Sequence, residues 1–229
     1  MSGASDLREL HALAKKISRP IQFMEVCGTH TMSAFRSGLR SILPPNVTLI
    51  AGPGCPVCVT PTRYLDAAMA LSRRPETLVA TYGDLIRVPG TESSLEREQA
   101  LGASIQVVYS PLDALQIALK EPHRKTIFLG IGFETTAPGS AWLIQEAQRR
   151  QAPLSVLCGH KTMPQAMSAL LSGGAVRIDG FLCPGHVSVI IGSRAYEPLC
   201  EQYRVPCVIA GFEPLDMIRA ILMLLRQCL

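Results

Sequence analysis

The sequence predicts an α/β fold: two similar lobes of mainly parallel sheet flanked by helices, with a cleft between them. Three observations carry this. Short β-branched apolar runs alternate with helix-patterned stretches almost to the last residue, the pattern of strand–helix–strand units. The strand candidates read as continuous apolar runs, as strands covered on both faces of a parallel sheet must. Hydrophobic residues make up 48% of the 229 and charged residues only 17%, which supports a packed core and excludes a disordered chain. Eight strands are many for one sheet at this length, so the chain is expected to divide. The polar helical stretch 145–153 marks the expected boundary, giving lobes 1–145 and 146–229.

In order, the strand candidates are residues 21–26, 47–51, 77–82, 105–108, 125–131, 154–157, 178–182 and 205–210. Between them, helical periodicity marks 63–73, 140–150, 165–171 and 215–226, and Ser93 with Glu96 has the spacing of a capping box before a further helix. A faint internal echo accompanies the two lobes. Residues 127–134 (IFLGIGFE) and 208–213 (VIAGFE) both run an apolar strand into Gly-Phe-Glu, and VCGTH at 26–30 resembles LCGH at 157–160. Such short matches fit either a duplication or chance.

Composition narrows the function classes. Aromatics are 5% of the chain, too few for a base-stacking nucleic-acid binder. The net charge of +4 is spread without a polybasic block, so neither DNA nor a membrane surface is indicated. The most apolar run, 220–225, is six residues long, where a membrane span needs roughly 20. Asp6, Arg8 and Glu9 stand where a signal peptide would need an apolar core. A cytoplasmic protein is expected, and its eight cysteines then point to metal or redox chemistry in preference to a disulfide framework.

The positions of those cysteines are informative. Cys27, Cys55, Cys158 and Cys183 are each expected to close an apolar strand, and each precedes Gly or Pro; ligands of open α/β sheets bind beyond the carboxyl ends of strands. Cys200, Cys207 and Cys228 fall inside helix or strand patterns and read as small buried hydrophobes. Cys55-Pro56-Val57-Cys58 is a C-x-x-C turn stiffened by Gly and Pro, able to share a metal or close a disulfide. No second C-x-x-C completes a zinc ribbon, and a tight turn with incidental cysteines is the plainer alternative. Cys27 and His30 offer a thiolate and an imidazole to one ion, or His30 deprotonates Cys27. Alternatively they are a buried thiol and a histidine capping a helix. Cys183-Pro184-Gly185-His186 repeats the Cys-x-x-His spacing. Glu134 is a polar anchor, a proton carrier, or a helix N-terminal carboxylate; Glu213, before Pro214, reads as the last of these. Gly130-x-Gly132 lacks the third glycine of a dinucleotide fingerprint, and no Walker loop, G-x-S-x-G or H-E-x-x-H occurs.

Taken together, FMEVCGTHT (23–31), GPGCPVCVTP (52–61), GFETTAP (132–138), FLCPGHVSVIIG (181–192) and PCVIAGFEPLD (206–216) resemble the hydrogenase maturation (formation) protein family HypD, in the family's order and over nearly the whole chain. The resemblance implies a maturation scaffold for nickel–iron hydrogenases. Such a scaffold carries an iron bearing cyanide and carbon monoxide, Fe(CN)2CO, together with a HypC-type chaperone, and receives cyanide through a HypE-type donor. It further implies that Cys27 binds iron and faces HypC, and that Cys55 and Cys58 are a redox-active or iron-associated pair. His30, Glu134 and His186 would line the central cleft, His30 and Glu134 acting with Cys55 and Cys58 as catalytic residues and Cys183 and His186 as cofactor-binding residues. Cys27, Cys55 and Cys58 are thus expected together at one cleft between the lobes. Family members usually continue into a third domain whose cysteines bind a four-iron, four-sulfur cluster. This chain stops at Leu229, so the second lobe is expected to be C-terminally incomplete and the cluster absent; Cys158, Cys200, Cys207 and Cys228 lack cluster spacing. Two other readings stand beside the scaffold: a thiol–disulfide oxidoreductase using Cys55 and Cys58, and a non-catalytic module that binds the partner and assembles nothing.

Overall fold

A computed structural model describes residues 3–174 and 176–229. In chain order the elements are α1 (Gly3–Ala14), β1 (Ile21–Glu25), α2 (Gly28–Arg36), α3 (Leu39–Ile42), β2 (Val47–Ala51), α4 (Thr62–Ser72), β3 (Thr77–Thr81), α5 (Leu95–Ala100), β4 (Ile105–Val107), α6 (Pro111–Lys120) and β5 (Lys125–Gly130). There follow α7 (Ala137–Arg149), β6 (Leu154–Cys158), α8 (Met163–Gly173), β7 (Gly180–Pro184), α9 (Gly185–Ile191), α10 (Glu197–Tyr203), β8 (Cys207–Ala210) and α11 (Pro214–Gln227). The strands form two four-stranded sheets, ordered β2-β1-β7-β8 and β4-β3-β5-β6. Every neighbouring pair is parallel, so the α/β class and the parallel sheets expected from continuous apolar strands are present.

The chain divides into two units, one made of Met1–Cys55 with Thr162–Leu229, the other of Pro56–Lys161. The boundary expected at 145/146 does not coincide with either crossing; it falls inside α7, which packs on β6 and α6 of the second unit. The physical reason is that β7 and β8 complete the sheet begun by β1 and β2. The first unit is therefore discontinuous, a topology that a scan for one polar linker does not reveal. Counted in chain order within its own unit, each sheet has the order 2-1-3-4. The two units thus repeat one doubly wound topology. The sequence echoes, however, join non-equivalent strands: Gly-Phe-Glu follows the third strand of one unit and the fourth of the other, and CGTH follows a first strand where CGH follows a fourth.

Each sheet is covered on both faces. In the first unit, Ile21, Phe23, Leu49 and Leu182 pack against Leu10 and Ala14 of α1 and Met217, Ile221, Leu224 and Leu225 of α11. Gly180 belongs here for lack of space: a Cβ on it would lie 2.9 Å from the Phe23 ring and 3.0 Å from Leu224. In the second unit, Val79, Leu129 and Ile131 meet Leu65 and Met69 on one face. Ala80 and Phe128 meet Ala114, Leu115 and Leu143 on the other.

Helix boundaries show two differences from expectation. The capping serine before α5 is Ser94, whose hydroxyl accepts from the Arg97 amide; the Ser93–Glu96 spacing is one residue out of phase with the helix. A full capping box instead opens α6, where Ser110 and Asp113 satisfy each other's backbone amides around Pro111 at the first turn. No helix among the described residues is long and apolar enough to cross a membrane.

Candidate cysteine–histidine site

In an open parallel sheet, ligands sit beyond the carboxyl ends of the strands where the strand order reverses. In the first unit that point lies between β1 and β7, the two central strands. The chain leaving β1 is Val26-Cys27-Gly28 and the chain leaving β7 is Gly185-His186. Cys27 is the N-cap of α2, with extended backbone (φ −150°) and a side chain that makes no capping hydrogen bond. Its thiol, on a residue 7% exposed, is therefore not committed to the helix whose amino end it occupies, a position that favours negative charge.

The neighbouring strand ends close on this point. The amide of Gly52, just past β2, donates to the Glu25 carbonyl at 2.8 Å, which carries the GPGC loop alongside Cys27. Gly54 then lies directly on the chain: a Cβ there would be 2.5 Å from the Gly28 nitrogen and 2.8 Å from the Cys27 Cα. Only glycine allows this approach, and it sets Cys55 next to the Cys27–Gly28 backbone. Cys55 lies in the loop beyond β2 instead of at the strand terminus expected for it. Cys55 is half-buried and Cys58 exposed, and the C-x-x-C turn is where the chain passes from the first unit to the second.

On the other side, the loop after β8 is clamped to α2. His30 Nε2 lies 3.0 Å from the Gly211 carbonyl, and the Ser33 hydroxyl donates to the Phe212 carbonyl. The Phe212 ring stands between two imidazoles, 4.7 Å from His30 and 5.3 Å from His186. His30 is fully buried with Nδ1 unpartnered, and burial lowers its pKa. The imidazole is therefore held neutral, its second nitrogen buried without a hydrogen-bond partner. Glu25, also fully buried, takes Arg40 at 3.2 Å on Oε2 and has no partner for Oε1.

Cys27, His30, His186 and the backbone leading to Cys55 are therefore gathered by one unit. Cys183 is fully buried, and its thiol meets Cys207. Cys58 and Glu134 belong to the second unit. There Glu134 follows a loop wound tightly at Gly132 (φ +148°), where a Cβ would collide with Thr136. Beside that loop His160 Nε2 lies 2.8 Å from the Ser140 hydroxyl, and the Tyr64 hydroxyl donates to the Leu157 carbonyl at 2.7 Å. Cys158, at the end of β6, is exposed. Among the described residues no group of three or more His, Cys, Asp or Glu is arranged to hold a metal ion. Phe212, Glu25, Arg40 and Gly54 were not singled out by sequence reasoning. Glu25, Gly54 and Phe212 lie inside quoted motifs, but nothing local marks a carboxylate as buried, a glycine as pressed on a distant backbone or a phenyl ring as standing between two imidazoles.

Comparison with known proteins agrees over the same span. The HypD family model, described as the hydrogenase formation hypA family, matches residues 4–229. Hydrogenase maturation factor HypD of Rhodobacter capsulatus is 47% identical over 226 residues, covering 96% of this chain and 60% of that protein. The HypD proteins of Rhizobium leguminosarum bv. viciae and Escherichia coli K12 are 50% and 44% identical, covering 96% and 94% of this chain and 59% and 58% of their own lengths. The chain thus spans about three-fifths of the relatives it matches.

Proposed function

Because the chain belongs to the HypD family, we propose that it serves hydrogenase maturation as a scaffold, holding an iron unit as cargo through the Cys27 thiolate. The observation that supports this is the placement of Cys27 at the β1/β7 crevice, unused by its helix and flanked by the GPGC loop and two histidines. A low-spin iron bearing cyanide and carbon monoxide suits soft thiolate ligation. The neutral His30, with Nδ1 unpartnered, supplies a nitrogen that can receive the thiol proton when the iron is captured. Gly28 has open space around the position of a Cβ, which lets the backbone of a HypC-type partner approach the thiolate, while a HypE-type protein supplies cyanide.

The test is infrared spectroscopy on protein purified without air from cells making the HypC- and HypE-type partners. Bound cyanide and carbon monoxide absorb where protein does not. The scaffold reading expects those bands in the wild type and their loss, with iron content, in Cys27→Ser. Equal bands in both would overturn it. A second reading, thiol–disulfide exchange at Cys55 and Cys58, is favoured by one observation: both thiols stand in one short turn, one half-buried and one exposed. Thiol trapping across a series of redox buffers should show a Cys55–Cys58 bridge; absence of that bridge at every potential removes this reading.

A further inference from the structure

Away from the crevice, the first unit holds three more thiols in succession. Cys183 is in β7, Cys207 begins β8, and Cys200 lies in α10. The Cys207 thiol donates to the Val205 carbonyl and interacts with Cys183 on one side and Cys200 on the other. The sequence pattern predicts buried hydrophobes at Cys200 and Cys207, but both are only part-buried. They line one cavity of about 440 Å³, bordered by Tyr196, Glu197, Glu201 and Met223. The chain between them turns back at Arg204, which adopts left-handed backbone (φ 55°), and this brings a cysteine of the helix and one of the next strand to the same cavity.

We propose that Cys200 and Cys207 are a second dithiol of this protein, an oxidation site that closes to an intramolecular disulfide. Geometry selects this pair. Cys207 sits opposite Phe181 in the parallel register, and Cys183 opposite Ile209. Cys183 and Cys207 are therefore two positions apart on adjacent strands, a Cα separation of about 8 Å from strand spacing and rise. Disulfides need Cα atoms within about 6.8 Å, so that pair cannot bridge without displacing a strand. Cys200 is free of the sheet register, and it lines the same cavity as Cys207, with which it interacts.

With oxidised glutathione as oxidant, a Cys200 or Cys207 thiolate attacks the glutathione disulfide and releases one glutathione thiolate. The second protein thiolate then displaces the other. Two protein thiols lose two electrons and two protons, and one glutathione disulfide becomes two glutathiones. Burial pushes the Cys200 thiol up to about 11, and the interaction with Cys183 and burial push Cys207 up as well. At pH 7 only about one Cys200 in ten thousand is thiolate, so the reduced pair is the resting form and bridging is slow. Closing the bridge withdraws Cys207 from Cys183, the residue of β7 just before Pro184 and the His186 turn. The proposal does not depend on the scaffold reading.

The experiment incubates the full chain in glutathione redox buffers from pH 7 to 9, quenches with acid, alkylates, digests with trypsin and maps the peptides. Cleavage after Arg204 separates the two cysteines, so a bridge appears as two peptides joined only by sulfur. The expected result is a linked Cys200–Cys207 product whose formation rate rises about tenfold per pH unit, present in Cys183→Ala and lost in Cys200→Ser. Circular dichroism before quenching confirms that the chain stays folded. If Cys200 and Cys207 both remain alkylated at pH 9 in the most oxidising buffer, or if Cys207 pairs with Cys183, the proposal is wrong.

Discussion

Gly54 carries no side chain because Gly28 and Cys27 occupy the space where one would go. The neighbours are backbone atoms, which cannot swing aside as a side-chain tip can. Gly54→Ala should therefore cost about 1–3 kcal/mol as an overpacking change and push the C-x-x-C loop off Cys27. Denaturant unfolding and iron content per chain check this, and unchanged values for both would show that the close approach is unimportant. Gly28→Ala makes the converse case. Its Cβ meets nothing within 4 Å, and alanine is the better residue inside a helix, so stability should hold within about 0.5 kcal/mol. Partner affinity, measured by co-purification, should nevertheless fall, because the opening beside Cys27 is filled. A third residue, His160, reports through pH. Burial lowers its pKa from the ordinary 6.5, so below 6.5 the unfolded chain takes the proton first. Stability then drops as pH falls from about 6.5 toward the lower folded value. His160→Gln should flatten that part of the stability–pH curve; an unchanged slope would assign it to other groups. These residues also show what sequence can reveal. Cys27, His30 and His186 were visible because thiols and imidazoles announce chemistry by type. Phe212 was not, because its role comes from lying between rings on α2 and α9, and the loop bearing it bonds to His30 from 181 positions away.

At the scale of elements, the eight strand segments read from apolar runs all fall on strands, and their ends err by two residues or fewer. Burial on both faces makes such a run nearly independent of its neighbours. Helices were less legible. α1 and α6 went unread although α6 carries a capping box, because its third position is Asp instead of the usual Glu or Gln. α1 is amphipathic only in relation to α11, the helix at the far end of the sequence. Two ion pairs join them: Asp6 with Arg219 at 3.0 Å, and Glu9 with Arg226. They are not equivalent. Asp6 is 2% exposed, so Arg219→Ala leaves a buried carboxylate without its cation and should cost about 1–3 kcal/mol. Glu9 and Arg226 both reach solvent, so Arg226→Ala should cost at most about 1 kcal/mol. Urea unfolding of the two variants side by side tests the difference. Equal losses would mean that α1 is held by its apolar face alone, through Leu10 and Ala14.

For the whole molecule, the repeated 2-1-3-4 order has a consequence that neither motif nor periodicity discloses. Both sheets are built the same way, yet only one is contiguous in sequence: the second unit runs unbroken from Pro56 to Lys161, while the first is closed by segments from both ends. Strand count predicts two lobes, but local polarity does not mark their boundary, because a polar surface helix such as α7 gives the same signal as a linker. The contiguous unit has two apolar clusters, one on each face of its sheet, and a size of about 100 residues, usual for an independent domain. Residues 56–161 expressed alone should therefore fold cooperatively, with one sigmoidal urea transition and a near-ultraviolet dichroism signal from the edge-to-face Tyr82–Phe128 pair. Acid should expose a specific contribution. Arg73 grips both oxygens of Glu98 at 2.8 Å, and that contact holds the carboxyl at about 2, down from 4.5. A depressed carboxyl stabilises the fold fully above its unfolded value, and the contribution fades as pH falls from about 4.5 toward 2. Glu98→Gln in the fragment should lower the urea midpoint at pH 7 and narrow its gap to the parent as the pH approaches 2. A non-cooperative fragment would mean that this sheet depends on the rest of the chain, and a gap that stays constant with pH would remove the Arg73–Glu98 pair as its cause.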